Sequence, residues 1–557
     1  TNGSVYDMSD LNVEFASVQR AIRPDTVALW LFAALLGLTA LLVLGQALAR
    51  QVWTASSQYP ILRALGATRR QFVVAASLPA TIVAVGGSAA GVVVAVLGSA
   101  LTPVGPARVA EPHLGIEVNT AILSIGAVLL LFAVSGQAVL AAWRSTSTSR
   151  STRANEHPSR LANRAVSAGL PAPATTGLRF AFPHGWQSSQ VPLYSTLAGT
   201  IMAVTALVVA VTFNGDLGRL KDTPARYGWD WNVAVDGGYV PIPAAPVGAA
   251  LGTVRDVAAW SGGNYGSVVL DGRIVPAVAI DQLHGAVFPT LLEGRPPRNQ
   301  DEIALGTTTM KAAGVRVGDH VHVQAGGVVR TLLVTGRAVF PDFERGGFAA
   351  TDLGVGAATT SALLHPGGIP PGATYDFFLV RYRQGVDGAR AERTVERVLR
   401  PQCTNAECSY FVDRRPNEVN AYGQVAWIPL LLAGVLALLG TLALGHALVS
   451  SVRRRRRDIA VLKTLGFTRR QVFMTVAWQA TALVLAALVV GLPLGVMVGR
   501  WSWKVFAGQL GVATDSLVPV LLLVLAVPVA LAVGNMIASL PAWAASRTHP
   551  SHILRTD

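Results

Sequence analysis

Charge is scarce in this sequence. Of its 557 residues only 14% are Asp, Glu, Lys or Arg, against about 25% in soluble domains. Hydrophobic residues make up 51% and mean hydropathy is +0.45, a composition that excludes an ordinary soluble chain. Lysine is scarcest, with four (Lys221, Lys311, Lys463 and Lys504) among 45 basic residues, a bias read as base composition. None follows a glycine. A Walker A loop ends in Gly-Lys-Ser/Thr, so the chain has no P-loop and is not itself an ATPase. Ionisable residues are missing from the long apolar runs, and ion-coupled transport usually needs them there. The one candidate, His446, matches Gln46 in a repeat described below, and both read as interhelical hydrogen-bonding residues. His320 and His322 share one face of an expected strand, but zinc needs further ligands and none is suggested nearby, so no metal is expected. No catalytic triad or carboxylate pair stands out in 214–422. There are only two cysteines, Cys403 and Cys408.

What is present is apolar length. Seven stretches suit a membrane span of about 20 residues: 27–49, 72–101, 119–143, 192–213, 425–449, 472–499 and 517–543. The loops between them alternate in charge. Loops 50–71, 144–190 and 450–471 with the tail 545–557 hold 20 basic and 3 acidic residues; the opposite segments hold 25 and 28. The positive-inside rule makes the first set cytoplasmic and 214–422 extracytoplasmic. The formal charge of +14 therefore reads as topology, and no nucleic-acid partner is expected. In that external compartment the two cysteines are expected to pair.

A repeat at an offset of 400 organises the chain. Leu62-Arg63-Ala64-Leu65-Gly66-Ala67-Thr68-Arg69-Arg70-Gln71 recurs as Leu462-Lys463-Thr464-Leu465-Gly466-Phe467-Thr468-Arg469-Arg470-Gln471, and Ala142-Trp143 as Ala542-Trp543. The motif reads as a short helix, with Ile61, Leu62 and Leu65 on one face, a turn at Gly66 or Gly466 that suits a positive φ, and a new helix capped by Thr68 or Thr468. A helix, a sharp turn and a long span form a lever that a cytoplasmic partner can push. The alternative is that the arginines only anchor the helices at lipid headgroups; recurrence at the matching place favours the lever. The second unit follows a helix and an external domain, so a like arrangement is expected upstream of Thr1, giving eight helices in two sets of four.

These residues resemble the FtsX-like or MacB-type permease domain of ABC systems. The second copy, from Arg457-Asp458-Ile459 to Gln471, is close to the family pattern, as is the tail from Leu540-Pro541-Ala542-Trp543 to Ile553-Leu554-Arg555. Glu293-Gly294-Arg295, Asp301-Glu302-Ile303, Gly314-Val315-Arg316-Val317-Gly318-Asp319 and Val334-Thr335-Gly336 resemble the periplasmic core domain of such permeases. In the first copy Gln58-Tyr59-Pro60 stands where the family has an acid, matched by Asp458 in the second, so unequal coupling loops are expected.

The resemblance implies a multi-pass protein of the bacterial plasma (inner) membrane that works with a separate dimeric ABC ATPase. ATP and Mg would be bound there, with no cofactor in this chain. Leu62, Arg63, Leu65, Gly66, Arg69 and Arg70, with Asp458, Leu462, Lys463, Leu465, Gly466, Arg469 and Arg470, would couple to that ATPase. Besides membrane lipids, an adaptor, lipoprotein or hydrolase is the expected external partner. The implied function is ATP-driven export or extraction of a lipoprotein, lipid, peptide or drug-like molecule; the alternative is a mechanotransmitter regulating a cell-wall hydrolase or sensor kinase.

The expected fold is an α-helical polytopic membrane protein of seven spans, with a mixed α/β extracytoplasmic domain between the fourth and fifth. Its parts are the end of an upstream external segment (1–26), a three-helix unit (27–143), a cytoplasmic linker (144–191), a span (192–213), the α/β domain (214–424), a second three-helix unit (425–544) and a tail (545–557). The linker reads as mobile up to Gly177, then amphipathic at Leu178–Pro183 and suited to the inner membrane face. Within the domain, helices are expected at Val247–Ala259 and Arg390–Leu399, and a small barrel over 301–341.

Overall fold

The computed structural model describes residues 64–99, 118–147, 167–182, 193–403 apart from 239, 344–350 and 365–372, then 408–412 and 427–547, with isolated positions between 30 and 45 and between 415 and 419. The chain forms two compact units. One comprises Thr1–Ala28, Gly215–Ala426 and Trp501–Leu517; the other comprises Leu29–Asn214, Trp427–Arg500 and Val518–Asp557.

The helices are α1 (Arg69–Ser99), α2 (Thr120–Ser147), α3 (Ala172–Ala181), α4 (Leu193–Asp222), α5 (Ala244–Gly252), α6 (Thr307–Ala313), α7 (Ser361–Leu364), α8 (Gly388–Leu399), α9 (Trp427–Arg454), α10 (Arg456–Thr464), α11 (Arg469–Leu510) and α12 (Val520–Ser546). Among the described residues six of them, α1, α2, α4, α9, α11 and α12, are long and apolar enough to cross a membrane. The expected first span, 27–49, lies largely outside the described residues.

In the helical unit, α1 and α2 meet through small residues, Ala80 and Ala84 against Val134 and Ala138. The second copy packs Leu444 and Leu448 of α9, Ala480, Leu483 and Leu488 of α11, and Ala538 of α12 into one cluster. Helix α4 approaches α11 along Gly491, Gly495 and Gly499. A Cβ added at these positions would lie 2.8, 2.6 and 3.0 Å from Val204, Val208 and Thr212. Glycines four residues apart share one face of a helix, and without side chains they admit a neighbouring helix closely, the usual basis of tight packing between membrane helices.

The linker differs from its expectation. Residues 167–182 are placed, and α3 starts at Ala172. Its Ala174, Gly177, Phe180 and Ala181 are buried in protein. Gly177 explains this, because a Cβ there would come within 2.7 Å of the Thr475 carbonyl and of Trp478 Cβ. The amphipathic face found in the sequence is covered by α11.

The other unit is built on a ten-stranded mixed sheet. Its strands come from β1 (Val233–Asp236), β2 (Ile242–Pro243), β3 (Val257–Leu270), β4 (Arg273–His284), β5 (Leu291–Gly294), β6 (Glu302–Gly306), β7 (His320–Ala325), β8 (Val328–Ala338), β9 (Phe340–Phe343), β10 (Thr351–Leu353), β11 (Ala357–Thr359), β12 (Thr374–Tyr375), β13 (Phe377–Tyr382) and β14 (Ser409–Phe411). The order is β14-β1-β13-β3-β4-β11-β6-β8-β5, with β7 paired to β3 and β8; β9–β10 and β2–β12 form small pairs apart. The long β3–β4 hairpin turns at Asp271 and Gly272, both at positive φ, the two-residue turn that matches strand twist. Helix α8 buries Ala391, Val395 and Leu399 on one face and is capped by Asp387 through Ala389 N–H at 3.1 Å.

Two expectations change here. The helix foreseen over Val247–Ala259 ends at Gly252, and from Val257 the chain pairs with β13 as strand. The stretch 301–341 forms no separate barrel; β6 lies parallel to β8 within the large sheet. Helix α11 also runs beyond 499 to Leu510, because Trp503, Phe506 and Leu510 continue a helical apolar face that is buried.

Candidate functional site

In the second copy, α9 gives way to α10 after Arg454. Helix α10 buries Ile459 and Ala460 and leaves Asp458 exposed. Ile459 packs with Val452, Val472, Val476, Ala542 and Ala545. The helix then stops in a full Schellman turn. Phe467 N–H donates to the Leu462 carbonyl at 3.0 Å and Gly466 N–H to that of Lys463 at 3.1 Å, with Gly466 at φ 98°. Helix α11 restarts on a reciprocal cap: Thr468 N–H donates to Gln471 Oε1 at 2.8 Å, and Gln471 N–H to Thr468 Oγ1 at 3.3 Å.

The first copy repeats the described part of this geometry. Gly66 has φ 90°, Thr68 N–H donates to Gln71 Oε1 at 2.9 Å and Gln71 N–H to Thr68 Oγ1 at 3.4 Å. Leu62 and Arg63 lie outside the described residues.

The turns present unequal mixtures of exposed and held groups. Leu65 and Leu465 are 80% and 75% exposed, so each stands at the tip of its turn. Arg69, Arg70, Arg469 and Arg470 are exposed, while Leu462 and Lys463 are half-buried. Lys463 Nζ donates to the Ser546 carbonyl at 2.8 Å. Burial, aided by nearby Arg469, pushes its pKa down. In the first copy Arg69 donates to the Trp143 carbonyl at 2.9 Å and lies 5.2 Å from that ring. In each copy an exposed leucine and two exposed arginines stand together on the turn that leads into α1 or α11.

Several participants carry no motif in the sequence. Phe180 of α3 lies 4.3 Å from the Arg455 guanidinium. Gln479 Nε2 donates to Ser451 Oγ at 3.0 Å. Gly177, within an otherwise ordinary amphipathic turn, was the one available signal.

In the sheet unit the motif residues converge on structural contacts. Arg295 grips Glu302 through two hydrogen bonds of 2.6 and 2.7 Å, and Arg298 N–H adds a third at 2.9 Å. These contacts, led by Arg295, hold the Glu302 carboxyl below its usual range. Gly294 has φ 77° and lies against the Thr335 carbonyl, and Gly318 N–H donates to the Val334 carbonyl at 2.8 Å. Cys403 and Cys408 are joined in a disulfide. His320 and His322 are exposed on β7, with His322 Nδ1 3.1 Å from Thr331 Oγ1. No cluster of three or more candidate metal ligands occurs among the described residues. His446 is exposed on α9, while Gln46 lies outside the described residues.

The FtsX-like permease C-terminal family model matches residues 30–149 and again 430–550. The chain carries two FtsX-like permease domains. Permeases of this family are non-enzymatic membrane components of ABC systems and partner with ABC ATPases, so the protein is a multi-pass membrane permease or fills a related role. The periplasmic region of MacB from Actinobacillus actinomycetemcomitans is a similar solved structure, with 12% sequence identity over 34% of this chain and 91% of that one and a TM-score of 0.25. No curated protein matches. The two FtsX-like matches include the turns at Gly66 and Gly466 and the spans that flank them.

Proposed function

We propose that the chain is the permease subunit of an ABC complex, transmitting ATP-driven motion of a separate ATPase dimer through the turns at Gly66 and Gly466. The observation that carries this reading is the recurrence of one backbone device, a left-handed glycine followed by a reciprocal threonine–glutamine cap, at the start of both α1 and α11. A capped helix start resists fraying, so force on the exposed tip moves the helix as a body. Helix α11 is continuous for 42 residues, about 60 Å at 1.5 Å per residue, roughly twice the hydrocarbon thickness. It is long enough to carry a stroke beyond the bilayer to the sheet unit, which is then extracytoplasmic. The work done there is export or extraction of a lipoprotein, lipid, peptide or drug-like molecule; two fused units and a large external domain favour this over regulation of a hydrolase or kinase.

The test is charge reversal. In the reconstituted complex, Arg469→Glu with Arg470→Glu should uncouple ATP hydrolysis from the permease, and the pair Arg69→Glu with Arg70→Glu should do so less. ATPase rates measured with and without each variant decide it, and wild-type coupling in the Arg469/Arg470 variant sinks the proposal. Copurification of a hydrolase or kinase through the sheet unit would redirect the function to regulation.

A further inference from the structure

Arg455 is a half-buried cation whose guanidinium donors have no acceptor among the described residues. The last apolar span before it ends at Arg453, two residues or about 3 Å of helix away. This places Arg455 at the level of lipid headgroups. Its guanidinium carbon lies over the Phe180 ring, 4.3 Å from the centroid. Stacking of this kind holds the fork in place and leaves its edge donors available. Among the described residues no carboxylate lies within ion-pairing distance of Arg455 and no acceptor takes its guanidinium hydrogens. Asp458 is exposed. Burial pushes the Arg455 pKa down, and Asp458 only partly opposes that shift. Exposed Arg453, Arg456 and Arg457 flank it in sequence.

Beside the guanidinium is a small cleft lined by Ser451, Thr475 and Gln479 with Ile459, Leu462 and Val472. Its enclosed space is about 10 Å³, room for one water, so any larger group rests at its mouth. A stacked, partly desolvated arginine fork at headgroup depth, among further arginines and above apolar side chains, suits a phosphate that carries an acyl chain.

We infer that Arg455, positioned by Phe180, binds the phosphate of an anionic phospholipid headgroup at this cleft. Lipid and not protein is the occupant because the guanidinium is recessed just past the end of the span, which stops at Arg453. The site does not depend on the ATPase-coupling reading.

Native mass spectrometry of the full chain in neutral detergent, with phosphatidylglycerol or phosphatidylcholine added, tests it. The wild type should retain phosphatidylglycerol in preference to phosphatidylcholine. Arg455→Gln should weaken phosphatidylglycerol roughly tenfold, the size expected for a lost charge-assisted hydrogen bond, while Arg453→Gln retains it. Equal retention by Arg455→Gln, or no preference in the wild type, overturns the site. Displacement by millimolar inorganic phosphate assigns it to soluble anions, and weakened ATPase association with unchanged lipid binding assigns it to protein docking; either overturns the lipid. Should Arg455→Gln fail to give a helical circular dichroism spectrum, Phe180→Leu tests the same site by removing the platform. An unchanged lipid preference in that variant also refutes the inference.

Discussion

The two copies of the repeat share the described backbone of their turns and differ in how they fasten the neighbouring helices. Both turn through a left-handed glycine and both restart a helix on a threonine–glutamine cap. Yet the first fastens a cation to the end of its third helix through Arg69 and Trp143. In the second, Lys463 reaches Ser546 and Arg547 lies 3.9 Å from the Trp543 ring. The second copy also holds α4 against a line of glycines, while a side chain at Gly91, the match of Gly491, would meet nothing among the described residues. The lesson is that a turn with a demanding φ dictates its residue, whereas a cation near a helix end is needed only as a charge and can come from different positions.

The largest test of this asymmetry is Gly495→Leu, which pushes a side chain into Val208. It should destabilise by about 3 kcal/mol, whereas the matching Ala95→Leu should stay within about 0.5 kcal/mol. Thermal denaturation in detergent reads both, and equal losses would erase the contrast. Next come Gly66→Ala and Gly466→Ala, each placing a side chain at φ near 90° at a cost of about 1–2 kcal/mol. Here the copies should agree, and a negligible loss in either refutes the shared turn. Thr68→Ala and Thr468→Ala should each cost about 1 kcal/mol, seen as faster local hydrogen exchange at the start of α1 or α11.

The smallest effect separates the copies again. The pKa of Lys463 is lowered in the fold, first by burial and then by Arg469. In the interval between its lowered and ordinary values the unfolded chain binds more protons, so stability should rise with pH there. Lys463→Met should remove that alkaline rise, whereas Arg69→Met should leave it in place. A rise of the same size in Lys463→Met would show that another group is responsible.

The repeat was legible because glycine with positive φ and a threonine–glutamine cap are local demands, written within five residues of one another. Membrane helices were legible for the same reason, since each must satisfy its own backbone and present an apolar surface. Contacts made at long sequence separation left little trace. Phe180 under Arg455 and Lys463 on Ser546 each join segments far apart in sequence, and nothing local selects either partner. The strand at Val257 was read as helix because Val247–Ala259 is rich in Ala, Val and Leu on both sides of Arg255 and Asp256; only pairing with β13 decides it. Periodicity found the amphipathic face of α3 but could not distinguish lipid from protein as its cover.

The sheet unit is discontinuous in sequence, and this imposes an order on its synthesis. Residues 215–426 belong with 501–517. The later piece supplies Ser516 and Leu517 N–H to the fully buried Asp216, Gly511 against Gly354, and the Asp515 carbonyl to Arg226. When residue 426 leaves the ribosome, that buried carboxylate still lacks both donors. At roughly 5–20 residues per second, the missing segment arrives about 5–18 s later. Through that interval the unit is a nascent domain with an open seam, a natural point of attack for proteases and of protection for chaperones. An expressed fragment ending at residue 426 would keep that seam open permanently.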